Sequence, residues 1–390
     1  MQETLLRDLG MSGTQSGLRD RNARLVLSAI RRQGALPGAE IARRTSLTAQ
    51  TVSNILRAME AEGIVQREDA VKGKVGKPSI PMSLNPKGVF SLGLNIGRRS
   101  AELVLVDFTG TPIAQRMIAY PYPVIDTVFA FLKSETEALL KEHPTARKRM
   151  AGIGVGRPYQ IWSWLEVVDA PEAAMRAWMD IDLAARVEQA TNLEVTIQND
   201  ATTACIAEHL LGRGKEFSNF AYIFVGAFVG GGLVLDNKVV SGPTGNAAAF
   251  GALRIPNDRG GTTQLLNVAS LHVLEHALAE AGVDPDHLRD PSDDWQNYAE
   301  WVTPWIAQTA ENLAIAAVTT GSIVEIETLL IDGAMPEAVR HQLVVETRQS
   351  ISHYDPTGIE RPNVSEATIG RTARSIGAAI LPIHSKYFLA

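Results

Sequence analysis

Residues 45–63, TSLTAQTVSNILRAMEAEG, constrain the fold of the N-terminal part of the chain more tightly than any other stretch. Thr48 suits a helix N-cap, because its hydroxyl can accept a hydrogen bond from a backbone N–H of the first turn, and Gly63 suits a stop. Between them Val52, Ile55, Leu56 and Met59 recur at i, i+3, i+4 and i+7, which predicts an amphipathic helix with that stripe turned to a core. The opposite face carries Ala49, Gln50, Thr51, Ser53, Asn54 and Arg57. These are short polar groups and one long cation, able to approach base edges and phosphates in a duplex groove.

Two further helices are predicted upstream. One covers about Arg21 to Gln33, with Val26, Leu27 and Ile30 on one face and Gly34 as its stop. The next runs from about Pro37 to Thr45, with proline in the first turn, where its missing N–H costs nothing. Downstream, IVQRE and IPMSL read as strands flanking the basic, glycine-rich DAVKGKVGKPS, with Lys72, Lys74 and Lys77 at the tip of the hairpin. Helix, helix, turn, helix and basic hairpin form the order of a winged helix-turn-helix, here over residues 19–85, after a polar tail (1–18) expected to be flexible. The wing would put its lysines on phosphates or in the minor groove. The expected DNA-contacting set is therefore Gln50, Thr51, Ser53, Asn54, Arg57, Lys72, Lys74 and Lys77. The competing reading is a helical protein-interaction domain with a solvated lysine loop.

Charge favours the first reading. Residues 1–90 hold 14 Lys and Arg against 8 Asp and Glu, a net +6, while the other 300 hold 23 against 35, a net −12. A basic head on an acidic body implies a local anionic partner for the head. The length of 390 residues allows two or three domains. No run of about 18 apolar residues predicts a membrane span, and the first residues lack the apolar region of a signal peptide. Cys205 is the single cysteine, so no internal disulfide forms, in keeping with an expected cytoplasmic location.

The remaining chain reads as α/β. Residues 90–118 predict three strands, with alternation in AELVLVDF and a turn at FTGTP. A helix is expected at about Thr127 to His143, a strand and glycine loop at MAGIGVGRP, a helix at 183–192 and a strand at EVTIQN. Asp200 opens the helix ATTACIAEHLLG, and FAYIFVGAFVGGGLVLDNKVV is a second glycine-interrupted hairpin. Two strand-rich units, each with helices, imply two lobes with a cleft between them. No phosphate-binding GxxxxGK[ST] loop occurs, and VGGGLVL lies in a hairpin rather than at a helix start. His272 and His276 stand four apart on an expected helix, but no further placed ligand accompanies them, so no metal site is expected.

Several of these stretches resemble the ROK family of repressors, open reading frames and kinases. The head's AEIARRTSLTAQTVSNILRAMEAEGIV and GKVGKPSIPMSLNP are similar to its repressor branch. In the body, GIGVGRP resembles the family's G-I-G-x-P-G-P loop, and IQNDATTACIAEHLLGRG its N-D-A-N-A-A-A-x-G-E segment. VGAFVGGGLVLDNKVVSGPTGNAAAFGAL resembles the run from G-T-G-I-G-G-G to G-E-I-G-H, and RSIGAAILPI the closing helix. The resemblance implies a winged helix-turn-helix followed by a two-lobed, actin-like ATPase (ROK sugar-kinase) fold. Residues 86–200 with 372–390 would form the first lobe and 201–371 the second, the last helix packing on the first lobe.

The resemblance also exposes departures. Where the family's first phosphate loop reads D-I-G-G-T-K, this chain has Asn95-Ile96-Gly97-Arg98-Arg99-Ser100. Its second loop becomes Gly226-Ala227-Phe228-Val229-Gly230-Gly231-Gly232. Each lost charge-assisted contact is worth about 1.5–3 kcal/mol, so nucleotide affinity should largely go. G-E-I-G-H becomes Ala248-Ala249-Phe250-Gly251-Ala252, which removes the sugar-gripping Glu and the His shared by sugar and zinc. RIPNDRGGTTQLLN has no Cys or His, which excludes the family's zinc. Asn199-Asp200 survives, matching the family's sugar-binding Asn and general base.

Asp200 is thus a vestigial base that could hold a polyol, or else only the N-cap of the helix it opens. Asn199, Asp200, Asn246 and Arg157 form the expected ligand set, Asn246 being the weaker candidate because its loop favours a turn role. Trp162 and Trp164 could stack on a sugar or simply pack. The combined expectation is a homodimeric regulator, or a dimer of dimers, on double-stranded operator DNA, with a carbohydrate or carbohydrate-derived effector, no catalysis, no cofactor and no metal. The rivals are an active sugar kinase with a DNA-binding head, a ligand-independent scaffold, and a receptor for an acidic or phosphorylated ligand through Arg98, Arg99 or Arg157.

Overall fold

The structure is a computed structural model and describes residues 15–70, 79–163, 170–257 and 260–389, with side chains from Asp20 onward. Its N-terminal unit runs α1 (Gln15–Gln33), β1 (Leu36–Pro37), α2 (Gly38–Thr45), α3 (Ala49–Ala61), β2 (Val65–Arg67) and β3 (Pro81–Leu84), the strands ordered β1-β3-β2. Helix α1 begins six residues before the expected Arg21. Its first turns, QSGLRD, carry no apolar stripe, so periodicity gave no signal there. Pro37 was expected inside α2 but lies in β1, opposite Pro81 of β3. Neither proline has an N–H to contribute, which suits a short two-residue pairing.

Val26, Leu27, Ile30, Ile41, Val52, Leu56, Met59, Val65, Met82 and Leu84 are buried together, and Ile55 is half-buried against them. This core does not stop at the head. Val104, Val106, Phe108, Ala151, Ala379, Ile383 and Phe388 of the body belong to the same cluster. Polar contacts flank the seam: Arg149 donates to Gly88 O at 2.8 Å and to Glu62 O at 2.9 Å, and Asn85 Nδ2 donates to Gly63 O at 2.7 Å. Nothing in the local sequence pattern announced this docking.

The body continues with β4 (Phe90–Ile96), β5 (Ser100–Asp107), β6 (Pro112–Ala119), α4 (Ile125–Glu142), β7 (Met150–Arg157), α5 (Leu183–Thr191) and β8 (Val195–Asn199). After α6 (Asp200–Leu210) come β9 (Phe220–Val225), β10 (Val229–Leu235), β11 (Lys238–Val239), the small pair β12 (Arg254–Pro256) and β13 (Thr262–Gln264), then α7 (Leu271–Glu280) and α8 (Ala299–Ile323). The chain ends with β14 (Thr328–Gly333), α9 (Glu337–Ser352), β15 (Asn363–Glu366) and α10 (Ala373–Tyr387).

The two large sheets are laid out alike. The first is ordered β6-β5-β4-β7-β8 and the second β11-β10-β9-β14-β15. In each, a three-strand antiparallel meander is extended by two parallel strands on the far side of its first strand. The β4–β5 and β9–β10 turns are therefore equivalent. Every residue of β4 is buried, as expected for a central strand covered on both faces, whereas edge strand β6 alternates exposed and half-buried.

Helices α6 and α10 pack against each other, and α10 also lies on β4, β5 and β7. The approach is backbone to backbone. A Cβ on Gly154 of β7 would overlap the Ala378 carbonyl, and one on Gly377 would overlap the Thr203 carbonyl. These glycines let α10 sink into the groove between sheet and helix. One continuous helix then runs from Arg374 near the cleft to Tyr387 beside the head.

Candidate functional site

Two sites emerge, one on α3 and one between the sheets. On α3, Thr48 Oγ1 accepts from Thr51 N at 3.1 Å, the expected cap. Gln50, Asn54 and Arg57 are exposed, and Thr51 and Ser53 half-exposed, on the face away from Val52, Leu56 and Met59. They pair along the helix, Gln50 Nε2 to Asn54 Oδ1 and Arg57 Nη2 to Ser53 Oγ, both at 3.1 Å. Such exposed bonds are easily exchanged for bonds to a duplex. Lys72, Lys74 and Lys77 lie outside the described residues.

Not every cation of the head is available. Arg43 and Arg44 both pair with Glu40, at 2.6 and 2.5 Å, and Arg67 pairs with Glu60 at 2.6 Å. The net charge of the head therefore overstates its free positive groups, whereas among the described residues Arg57 pairs with the neutral Ser53.

The second site is a cavity of about 320 Å³ between the two sheets. Its wall brings together Arg98 from the β4–β5 turn, Asn199 and Asp200 at the β8–α6 junction, Phe228 from the β9–β10 turn, Asn246 from the following loop and Arg374 from α10. Asn199, not Asp200, supplies the main cap of α6: its Oδ1 accepts from Ala201 N at 2.9 Å and Thr202 N at 3.1 Å. Asp200 Oδ1 adds a bond from Ala201 N at 3.0 Å, and its Oδ2 lies 3.6 Å from Arg374 Nη1. Its carboxylate therefore faces both the helix start and the cavity.

Arg157 stands apart from these groups. It ends β7 opposite Asn199, but its guanidinium lies toward the Trp162 ring, 5.8 Å from the centroid, and it is absent from the cavity wall. Trp162 packs on the core of the first sheet, and Trp164 lies outside the described residues. Arg99 donates to Pro121 O at 2.7 Å and likewise does not line the cavity.

The two substituted loops meet. Arg98 lies over the Phe228 ring, 4.5 Å from its centroid, and Phe228 lies 4.9 Å from the His272 ring. Two side chains that stand where the resemblance has glycines thus fill the space between the equivalent hairpin tips. Arg374 lies similarly over Phe224, at 4.8 Å. Burial pushes the Arg98 guanidinium below its ordinary pKa, an effect that Asp200 opposes and Arg374 reinforces. Among the described residues, the Nε atoms of Arg98 and Arg374 are both buried without a hydrogen-bond partner.

Ala248, which stands at a glycine of the resembling motif, has φ of +54°. A residue with a Cβ costs about 1–2 kcal/mol in that left-handed region, so the loop carrying Asn246 is strained toward the cavity. His272 and His276 hold different partners: His272 Nδ1 is 3.1 Å from Ala227 O, and His276 Nε2 is 3.2 Å from Glu280.

Sequence reasoning missed a buried polar network behind the cavity. Glu208 of α6 accepts from Arg213 N at 2.8 Å, Thr368 N at 3.0 Å and Ile369 N at 3.1 Å. Asp332 accepts from Tyr222 Oη at 2.9 Å and Gly370 N at 3.1 Å. Burial, and then the nearby Glu208, push Asp332 up to about 6. These carboxylates tie the segment before α10 to α6 and β14. The surviving Glu of the segment opened by Asn199-Asp200 was the one available signal.

Comparison with known proteins places these features in context. Residues 91–384 match the ROK family, and residues 16–74 match the MarR family. The chain is 28% identical over 290 residues to a putative xylose repressor of Caldicellulosiruptor sp. (strain Rt8B.4), covering 71% of each chain. In structure it is similar to a ROK family transcriptional regulator described as a homolog of the E. coli MLC protein, with a TM-score of 0.68, 21% identity, and coverage of 95% of this chain and 97% of that one. A ROK family glucokinase from Streptomyces griseus, in complex with glucose and AMPPNP, has a TM-score of 0.58 at 20% identity, with coverage of 75% and 98%. At such identities the two structures speak to fold. Among the described residues no helix is long and apolar enough to cross a membrane.

Proposed function

The chain belongs to the ROK family, and on that footing we propose that it is a DNA-binding transcriptional regulator whose sugar-kinase-like body senses a small molecule without catalysis. The head, residues 19–85, addresses operator DNA through Gln50, Thr51, Ser53, Asn54 and Arg57. The lobes, 86–200 with 372–390 and 201–371, enclose the effector at Asn199, Asp200 and Asn246.

One observation carries this reading. Helix α10 begins at the cavity, where Arg374 faces Asp200, and ends on the head, where Arg31 lies over Phe388 at 4.4 Å and Leu389 N donates to Ser28 Oγ at 3.0 Å. A ligand that draws Asp200 or Arg374 toward itself thereby loads a single helix whose far end seats the DNA-binding unit. Coupling requires different ligand affinity in two arrangements, typically worth about 1–3 kcal/mol. A two-fold assembly matches a pseudo-palindromic operator, so we propose a homodimer.

The stacked Arg98 and Phe228 support the loss of phosphoryl transfer, because they occupy the space between the two hairpin tips. The second reading, an active sugar kinase, is favoured by Asp200 at the cavity wall. Fluorescence anisotropy of labelled DNA from the gene's own upstream region, with and without candidate sugars at two salt concentrations, tests the regulator. DNA binding that falls with salt and shifts with a sugar is expected. Sugar-dependent ADP formation that vanishes in Asp200→Ala would instead establish the kinase.

A further inference from the structure

The cavity wall is unusual in its charges. Two guanidinium groups, Arg98 and Arg374, face one carboxylate, Asp200. Asp200 lies 3.6 Å from Arg374 and so offsets that cation first. Arg98 is left lying on Phe228, with its Nε buried and unpartnered, as is the Nε of Arg374. A buried guanidinium N–H left unpaired is costly, and the cost is recovered when an anion arrives. Both guanidinium planes rest on phenyl rings, at 4.5 and 4.8 Å, which holds their donor edges in fixed directions. A fixed arginine fork matches the oxygens of a carboxylate or phosphate.

The other polar groups of the wall are Tyr159, Gln160, Asn199 and Asn246, uncharged donors and acceptors suited to hydroxyls. Glu102, which also faces Arg374, is not part of the wall, and burial holds its carboxyl above the ordinary range. The volume of about 320 Å³ is at the small end for ligand pockets and suits a molecule the size of one sugar.

Resting on the reading of this cavity as the effector site, we infer that the effector is an anion: a small polyol bearing a carboxylate or phosphate, its charged group seated at Arg98 and Arg374 and its hydroxyls at Asp200, Asn199 and Asn246. Arg98, at a glycine of the resembling phosphate loop, becomes the selector of ligand charge. The same contact draws the N-terminal end of α10 toward the ligand, so the anion is also the signal.

Calorimetric titration of the full chain provides the test, with D-glucose, D-galactose and D-xylose as neutral probes, D-glucuronate and D-galacturonate as carboxylates, and D-glucose 6-phosphate as the phosphate. At least one charged probe is expected to bind tenfold or more tightly than its neutral parent, weakening as salt rises. Arg98→Gln, checked for an unchanged melting profile, should reduce that preference at least tenfold. The carboxylate and phosphate arms distinguish the two sources of charge. If the neutral sugars bind as tightly as the charged ones, the anion inference falls while the effector site stands. If no probe binds, both fall. The wild-type comparison decides the matter even if Arg98→Gln does not fold.

Discussion

The face of α3 and the wall of the cavity both present polar side chains to a partner, but they hold them in opposite ways. On α3, Gln50, Asn54 and Arg57 are exposed, come from one short segment and are satisfied by their own neighbours. In the cavity, Arg98, Asp200, Asn246 and Arg374 come from four separate segments, and two of them keep buried, unpartnered nitrogens. The first arrangement costs little to keep and depends on long-range charge for affinity. The second stores unmet hydrogen-bonding capacity and is poised for one kind of ligand. The difference fits the division of labour proposed above, a head that meets a polyanion and a cleft that selects a small molecule. What joins them is α10.

The largest expected effect comes from cutting that join. Phe388 is buried at 3% exposure, stacks on Phe108 at 5.6 Å and lies under Arg31. Phe388→Ala should cost about 3–5 kcal/mol, the range for emptying a buried aromatic site. Scanning calorimetry of the full chain should then resolve separate head and body transitions, and DNA affinity should no longer respond to effector. A single transition moved by less than about 1 kcal/mol would mean that the seam carries little of the coupling.

A smaller effect is expected from the exposed face. Arg57→Ala should weaken operator binding by about 1–3 kcal/mol, roughly 5- to 150-fold. Anisotropy at several salt concentrations tells which contact was lost. A slope smaller by about 0.9 indicates a phosphate, whereas an unchanged slope with relaxed sequence preference indicates a base edge. No change in affinity would remove α3 from the duplex interface and break the contrast drawn above.

The same contrast governs what could be read from the sequence. The α3 stripe and its Thr48 cap follow a 3.6-residue period, and they appear where the pattern put them. Strands β2 to β10 also came from local alternation and turn residues, whereas the two-residue β1 did not. The repeated order of the two sheets did not, because it is a relation between strands far apart in sequence. The family resemblance brought Asp200 and Asn199 to notice, but their capping roles were exchanged, since either side chain can reach the first free N–H groups. Arg374 escaped notice entirely: in RSIGAAILPI it is one more cation at a helix start, and only the packing of α10 on α6 carries it to Asp200. Arg157 was expected beside Asn199 and Asp200, but following a glycine loop does not fix where a long side chain turns, and its guanidinium lies toward Trp162.

The smallest expected effect concerns pH and the same seam. His384, on the last turn of α10, is pushed down to about 4 by burial, then by Arg31 and His209. An unfolded chain binds that proton near 6.5, so below that value the unfolded state holds more protons than the folded one. The contribution is therefore fully present above about pH 6.5 and is lost as pH falls toward 4. Protonation would also set a second cation beside Arg31, which already sits at about 10 through burial and Arg32. Melting between pH 7 and 4.5 should thus drop further in the wild type than in His384→Gln, by about 2–4 °C for each kcal/mol released. Identical melting profiles of the two proteins across that range would show that His384 carries no proton-linked cost in the fold, and would leave the stack at Phe388, the Arg31 contact and the Leu389–Ser28 hydrogen bond to hold the body on the head at this corner.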